Sequence, residues 1–305
     1  MTETAERTCY RHPKRVTGLS CSECGRPICT ECMTMAPVGI RCPEHSGKPQ
    51  GVQRVTSGVR RASFEGATAK VTRALIGLNV AVYVAELLQG SGVQANHGSI
   101  YQNGALLANG VKFGDSLAGV PAGIPFPNLV GVAHGDWWRL FTSAFLHYGP
   151  FHLIMNMLAL YWFGSLLEQR IGSGRFVLLY IVSGLAGSAG ALIAAPTTPT
   201  VGASGAIFGV LGAGLVLEMQ RDHVFGGSAL GIIVINLVLT FAIPNISIGG
   251  HIGGLIGGAL ACLGLSRFGR GHAAYGRAGA LGLATILLVG VASIGVAYWK
   301  AKGYA

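Results

Sequence analysis

Long apolar runs separated by short polar connections fill the chain after residue 70. The runs cover residues 71–89, 151–167, 176–195, 203–218, 228–243, 248–266 and 279–298. A membrane-spanning helix needs about 17–25 residues, so each run predicts a span, although the fourth and fifth are short for one. The pattern predicts an all-α polytopic membrane protein with seven spans and one long connection at 90–150.

The composition agrees with this fold class. The chain is 50% hydrophobic and 11% charged and contains 48 glycines, which is too apolar and too glycine-rich for an ordinary soluble domain. No apolar run occurs in the first 60 residues, so no cleavable signal peptide is expected. The net charge of +10 fits attraction to an anionic inner leaflet. The basic residues are not interleaved with aromatic ones, so we expect no nucleic-acid partner.

Basic residues alternate between successive connections of the membrane part. They precede the first run and follow the second, fourth and sixth runs: Lys70, Arg73, Arg170, Arg175, Arg221, Arg267, Arg270 and Arg277. The positive-inside rule then predicts a cytoplasmic N-terminus, with Lys300 and Lys302 as an exception outside. We expect the protein to lie in the plasma membrane. In this orientation the fourth and sixth helices both run inward from the outer face.

Four ligand pairs follow one another near the N-terminus. They are Cys9 with His12, Cys21 with Cys24, Cys29 with Cys32, and Cys42 with His45. Each pair puts two donors on one tight turn, and eight ligands satisfy two zinc ions as closed, structural sets. Paired cysteines of this kind indicate metal binding in a reducing compartment, and the metal would supply folding free energy to a short segment. The alternatives are unliganded cysteines in a disordered tail, or a catalytic zinc.

These patterns divide the chain into three parts. We expect a zinc-binding module at residues 1–48, a basic flexible linker at 49–69 and a transmembrane domain at 70–305. The linker is rich in Gly, Ser and Arg, which favours a location on the membrane surface. The module would bind a cytoplasmic protein partner or steady the membrane domain.

A serine and a histidine lie in glycine-rich segments that open two of the runs. Ser204 is the only hydroxyl in 201–209, and His251 is the only titratable group in 250–258. Both fall in the first turn from the outer face, so they should share one membrane depth. Small residues let membrane helices meet at backbone contact, which would bring the serine to the histidine. The glycines expected at this contact are Gly205, Gly209, Gly212, Gly254 and Gly258.

The second run and the segment just before it carry a further polar set, His147, His152 and Asn156. His152 and Asn156 are four residues apart and so share one helical face. Polar side chains are costly in a lipid-embedded helix and usually face the bundle interior. They could donate hydrogen bonds to a developing oxyanion, each worth on the order of 3 kcal/mol of barrier, or they could join helices.

Together these residues resemble the rhomboid family of intramembrane serine proteases. The matching motifs are Trp138-Arg139, His147, His152-x3-Asn156, Glu168-x-Arg170, Gly202-x-Ser204-Gly205 and His251-x2-Gly254-x3-Gly258. The resemblance covers roughly residues 70–298 and implies a rhomboid-like core of six helices plus a seventh C-terminal transmembrane helix. The N-terminal pairs resemble a B-box-type zinc finger. That likeness implies interleaved sets, with Cys9, His12, Cys29 and Cys32 on one ion and Cys21, Cys24, Cys42 and His45 on the other.

The resemblance also implies the chemistry. Ser204 would be the nucleophile and His251 its base, with His152, Asn156 and a backbone N–H holding the oxyanion and no metal needed for catalysis. Its substrates would be transmembrane proteins, cut within the bilayer near the outer face. No acidic residue lies in or beside the sixth run, so His251 is expected to be held by packing. Phe208 stands where many members carry Tyr, and its ring could stack on His251.

The flanking motifs are expected to be structural. Trp138 and Arg139 should anchor the long loop at the membrane interface, and His147 should hydrogen-bond that loop. Glu168 and Arg170 should form a network on the cytosolic side. The competing functions are a catalytically silent rhomboid-like protein that binds membrane clients, and a transporter or channel, for which the spans carry too few ionisable residues.

Overall fold

The computed structural model describes residues 7–35, 39–45, 69–90, 93–267 and 280–305. The chain forms two compact units, Met1–Ala67 and Thr68–Ala305. The predicted linker at 49–69 lies outside the described residues except for Ala69, and so do Arg270 and Arg277.

The N-terminal unit is built from short turns and very little regular structure. Two short strands, β1 (Thr34–Met35) and β2 (Ile40–Arg41), pair antiparallel. Isolated bridges join Thr8 to Val16 and Ser20 to Pro27. The buried interior consists of Ile28 and five cysteines, with Leu19 and Ile40 packed beside them. Such a small interior leaves the cysteine clusters as the main cross-links of the unit.

Seven helical segments occupy the seven apolar runs of the second unit. The first three are α1 (Lys70–Leu88), a second span over Gly149–Ile171, and one over Ser173–Ala194. Between the first two lie α2 (Gly98–Gly104), strands β3 (Gly110–Phe113) and β4 (Ser116–Gly119), and α3 (Arg139–Thr142). The second span comprises α4 (Gly149–Ala159), a π-helical turn (Leu160–Gly164) and α5 (Ser165–Ile171).

The remaining helices complete the bundle. The third span is α6 (Ser173–Ala194), and α7 (Ser204–Met219), α8 (Ala229–Ala242), α9 (Ile248–Arg267) and α10 (Ala280–Lys302) follow. Five of the described helical segments are long and apolar enough to cross a membrane by length and composition. The other two, α7 and α8, have 16 and 14 residues, as their short runs predicted. The all-α polytopic fold class is therefore confirmed.

Helix α7 lies inside the bundle, and α9 packs directly against it through glycines. A Cβ atom added to Gly254 would overlap the carbonyl oxygen of Gly205, and one on Gly258 would overlap that of Gly209. A Cβ on Gly212 would overlap the carbonyl oxygen of Leu255. Because any side chain would separate these backbones, the glycines bring α7 and α9 to backbone contact along their length.

The connection between α1 and α4 is a folded structure, whereas the sequence indicated only a long loop. Strands β3 and β4 form a hairpin in which Gly110 faces Gly119. Arg139 is fully buried, its Nε donates to Asp136 at 2.8 Å, and its Nη1 donates to the carbonyl of Ala105 at 2.8 Å. The prediction that Arg139 is an interface anchor is therefore wrong. A buried guanidinium needs such partners, and Arg139 ties the loop together from inside.

The motif of Glu168 and Arg170 forms a hydrogen-bonded junction. The carboxylate of Glu168 accepts from the backbone N–H of Val71 at 3.0 Å and of Thr72 at 2.7 Å. It also accepts from the hydroxyl of Ser173 at 2.6 Å, so it joins the start of α1 to the start of α6. Arg170 pairs with Asp222 at 2.7 Å. This arrangement matches the structural network expected for Glu168 and Arg170.

Candidate active site

Ser204 begins α7 two residues after Gly202, a glycine whose backbone requires the absence of a side chain. Gly202 has φ of +128°, and its N–H donates to the carbonyl of Ser143 at 2.9 Å. A Cβ atom on Gly202 would lie 2.7 Å from Cε1 and 2.9 Å from Nε2 of His152. Both the positive φ and the close imidazole favour glycine here. The same built atom lies 3.7 Å from the Ser204 hydroxyl oxygen, so that oxygen and the His152 ring flank Gly202.

The folded loop fixes the segment that leads to Ser204. The backbones of Leu106 and Thr200 exchange two hydrogen bonds, at 2.8 and 3.0 Å. The Tyr148 hydroxyl donates to the carbonyl of Pro199 at 2.8 Å, and the Tyr101 hydroxyl lies 3.0 Å from that of Tyr148. Burial raises the pKa of Tyr148, so its hydroxyl keeps the proton that it donates. The loop therefore holds the approach to the serine in place.

His251 is buried on α9 and is fixed by two neighbours. Its imidazole stacks on the ring of Phe208, with ring centroids 4.0 Å apart and planes inclined by 19°. Its Nδ1 lies 2.7 Å from Oγ1 of Thr240 on α8. The expected packing of His251 is present, and a hydrogen bond that was not expected also holds the ring. Thr240 was missed in the sequence, where the signal was two polar residues, Asn236 and Thr240, four apart in an apolar run.

The serine and the histidine lie on helices that touch beside them. A Cβ atom on Gly205, next to Ser204, would lie 3.3 Å from the carbonyl oxygen of Gly250, next to His251. Phe208 follows Ser204 by one helical turn and so shares its face of α7. Among the described hydrogen bonds, none joins the Ser204 hydroxyl to the imidazole. Such bonds are often long without substrate and tighten when it binds.

His152 lies beside Gly202, two residues before Ser204. The backbone N–H of Tyr148 donates to its Nδ1 at 3.2 Å, which leaves Nε2 to carry the ring proton in the neutral imidazole. That Nε2 is the nitrogen beside Gly202. Asn156 is buried, but its Nδ2 donates to the carbonyl of His152 at 2.9 Å within its own helix. The structure thus places His152 beside Gly202, near the start of α7, and gives Asn156 a partner on α4.

His147 behaves differently from the sequence expectation. The side chain is fully buried, and neither ring nitrogen has a hydrogen-bond partner among the described residues. Its ring lies against that of His152, with centroids 5.1 Å apart. Burial first, and then the neighbouring His152, lower the pKa of His147 to about 3, so the ring is neutral. The ring of His147 therefore packs against His152 and makes no hydrogen bond to the described residues of the loop.

The eight candidate metal ligands of the N-terminal unit form two groups. In each group the ligand atoms all lie within 4.8 Å of one another. One group is Cys9, His12, Cys29 and Cys32, and the other is Cys21, Cys24, Cys42 and His45. This is the interleaved arrangement that the zinc-finger resemblance implied.

The distances within each group suit a tetrahedral ion. Bonds of 2.3 Å to sulfur and 2.0–2.1 Å to nitrogen give edges of about 3.8 Å between sulfurs and about 3.6 Å between sulfur and nitrogen. The sulfurs of Cys24 and Cys42 are 3.7 Å apart. Nδ1 of His12 lies 3.3 Å from the sulfur of Cys29 and 3.4 Å from that of Cys32. The donor sets therefore fit zinc in both size and ligand type.

The fold and the site first define a class: a multi-pass helical membrane protein with a serine and a histidine on two closely packed helices. The Rhomboid domain family model matches residues 134–268, which include all four candidate catalytic residues. The chain is 38% identical over 136 residues to the putative rhomboid protease YdcA of Bacillus subtilis (strain 168), covering 43% of this chain and 68% of YdcA. The chain belongs to the rhomboid family.

Two further relatives extend the comparison. The chain is 44% identical over 174 residues to rhomboid protease GluP of Bacillus subtilis (strain 168), covering 55% of this chain but only 32% of GluP. It is 39% identical over 129 residues to RHOMBOID-like protein 1 of Arabidopsis thaliana, covering 40% of this chain and 33% of that protein. The match therefore extends over less than two thirds of either of these two relatives.

Proposed function

We propose that this protein is an intramembrane serine endopeptidase that uses a dyad of Ser204 and His251. The observation that carries the proposal is the setting of His251. Its Nδ1 is engaged by Thr240 and its ring face by Phe208, one turn below Ser204. Nε2 is then the nitrogen left to accept a proton from a neighbouring hydroxyl. A serine with a fixed base beside it is the arrangement that activates a weak nucleophile.

The reaction would proceed in two acyl-transfer steps. In the first, Ser204 Oγ attacks the scissile carbonyl carbon while its proton passes to Nε2 of His251. The tetrahedral intermediate expels the amine, which takes that proton from the imidazole, and an ester to Ser204 remains. In the second, water gives a proton to Nε2 and attacks the ester, and the released serine recovers the proton.

The negative oxygen of the intermediate needs donors that are already in position. The Nε2–H of His152 and the backbone N–H of Ser204, at the N-terminus of α7, would supply them. Asn156 is the third candidate from the sequence. Its Nδ2 is bonded to the His152 carbonyl, so it would contribute by holding His152 or by turning toward the substrate.

The substrates would be transmembrane helices of other membrane proteins. Ser204 lies at the start of a helix predicted to run inward from the outer face, so cleavage should fall near the outer end of the substrate. A helical substrate hides its carbonyls in hydrogen bonds, so cleavage requires local unwinding. The protein would lie in the plasma membrane with its N-terminus in the cytoplasm, as the distribution of basic residues favours.

The zinc module would be a structural attachment on the cytoplasmic side. The two donor sets would each hold one zinc ion that cross-links the turns of the unit, and neither ion would take part in peptide cleavage. The module would either bind a cytoplasmic protein partner or stabilise the membrane domain. Residues 1–48, 49–69 and 70–305 remain the proposed division into module, linker and protease domain.

Labelling with a fluorophosphonate tests the proposal directly. The wild-type protein in detergent should be labelled, and it should cleave a model transmembrane substrate. Ser204→Ala should remove labelling and cleavage while expression and thermal stability persist. Ser188→Ala is a matched control, because this buried serine donates to the carbonyl of Leu140 at 2.7 Å and does not line the site. A folded wild-type protein that is not labelled would instead support the catalytically silent, client-binding alternative.

A further inference from the structure

A two-step hydrogen-bonded relay runs from His251 into helix α8. Nδ1 of His251 lies 2.7 Å from Oγ1 of Thr240, and Oγ1 lies 2.7 Å from the backbone carbonyl oxygen of Asn236. Thr240 is 2% exposed, so water does not compete for its hydroxyl. Neither Thr240 nor Asn236 belongs to the motifs by which the site was recognised.

The direction of each bond in the relay follows from counting protons. A hydroxyl has one hydrogen to donate, and a carbonyl oxygen can only accept. The Thr240 hydrogen therefore goes to the carbonyl of Asn236, and Oγ1 must accept from its other neighbour. Its other neighbour is Nδ1 of His251, which must then carry the ring proton. In a neutral imidazole this leaves Nε2 unprotonated.

We propose that Thr240 is a positioning residue that fixes His251 in the Nδ1–H tautomer, with Nε2 free to act as the base; this rests on the proposed function. The acceptor for Nδ1–H is a neutral hydroxyl, where other serine hydrolases place a carboxylate. The hydroxyl is itself anchored, since its bond to the Asn236 carbonyl holds χ1 of Thr240. In this way a residue of α8, Thr240, determines the tautomer of His251 on α9.

Kinetics of three variants test the role of the hydroxyl. Thr240→Val keeps the shape of the side chain and removes the acceptor, so kcat and the fluorophosphonate labelling rate should fall by about tenfold to hundredfold, with KM little changed. Thr240→Ser restores the hydroxyl and should recover to within about threefold of wild type. Thr285→Val is the matched control, because Thr285 makes the same bond to the carbonyl four residues earlier, at 2.8 Å, but has no histidine neighbour among the described contacts.

A spectroscopic measurement tests the tautomer without relying on catalysis. In ¹⁵N-histidine-labelled Ser204→Ala protein, the His251 signal, identified by its loss in a His251→Phe variant, should show a proton on Nδ1. Adding Thr240→Val should shift that signal toward the Nε2–H form.

The outcomes separate the two proposals. A wild-type protein that labels, with Thr240→Val labelling at the same rate, would overturn the positioning role. A His251 that carries its proton on Nε2 while Thr240 is present would overturn it as well. If no folded protein labels, the proposed protease function fails, and the nitrogen spectrum alone decides the inference about Thr240.

Discussion

The imidazole of His251 and the ring of Phe208 lie face to face, with centroids 4.0 Å apart and planes inclined by 19°. The two residues come from different helices, α9 and α7, and both are buried. Phe208 belongs to the same helix as Ser204. The stack therefore fixes the position of the His251 imidazole relative to the helix that carries Ser204. The hydroxyl of a tyrosine is not needed for this contact.

Replacing Phe208 by Leu should slow the enzyme without unfolding it. Stacked ring pairs are worth about 0.5–1.5 kcal/mol beyond their buried area, so the labelling rate of Ser204 should fall by about twofold to twelvefold. Phe163→Leu removes a ring that packs on Phe225 instead, at 5.3 Å between centroids, and should leave the labelling rate unchanged. Equal rates for the Phe208 and Phe163 variants would show that the stack does not position the base.

Gly202→Ala should abolish cleavage. The added methyl group would push into the ring of His152 at a backbone φ of +128°, which displaces both the ring and Ser204. We expect a loss of about a hundredfold or more, comparable to removing an oxyanion donor. Gly123→Ala is the control for backbone strain alone, since its φ is +78° and its surroundings are open. Cleavage by Gly202→Ala at a rate near that of Gly123→Ala would contradict the geometry of the site.

Gly258→Ala should destabilise the membrane domain as a whole. The methyl group would overlap the backbone of Gly209 and force α7 and α9 apart, at a cost of about 1–3 kcal/mol. Gly295→Ala on α10 adds the same methyl group into open space and should leave stability unchanged or slightly higher. Thermal unfolding of both variants in one detergent provides the comparison, and equal midpoints would refute the role of the α7–α9 contact.

The N-terminal unit should bind two zinc ions per chain, one in each donor set. Cys29→Ser and Cys21→Ser remove one ligand from different sets, so each should lower the zinc content by one ion, and the double variant should retain none. Cys262→Ser changes the buried cysteine of α9 and should retain both ions. Elemental analysis of the purified proteins measures the ratio. A wild-type content of one or none would count against two separate sites.

The helices were predictable because their apolar runs are long and their boundaries are marked by polar residues. The π-helical turn at Leu160–Gly164 was not, because the residues from Met157 to Phe163 are all apolar and nothing among them marks a change in helix type. The structure of the loop at 90–150 was the largest part of the fold that the sequence did not predict. The folded loop is held by contacts such as that of Arg139 with Ala105, which join residues far apart in sequence.

The residues of the candidate site likewise divide into those that the sequence predicts and those that it does not. Residues with distinctive motifs, such as Ser204 and His251, could be chosen from spacing alone. Thr240 could not, since a threonine in an apolar helix most often bonds only to its own backbone. Its second bond, to His251, depends on how α8 packs against α9, and no local pattern encodes that packing. His147 was misjudged for a related reason, because burial without partners is a property of the fold around it.

Helices α7 and α8 have 16 and 14 residues, which at 1.5 Å per residue makes them about 24 and 21 Å long. The hydrocarbon layer is about 30 Å thick, so acyl chains beside the exposed face of α8 would have to shorten, and water or other protein segments would have to fill the space beyond the ends of the buried α7. In the proposed orientation, Ser204 at the start of α7 would lie below the headgroups and would be reached by water. Turnover should therefore depend on lipid chain length, and liposomes of thin and thick bilayers with the same headgroup would reveal it as different rates for one enzyme.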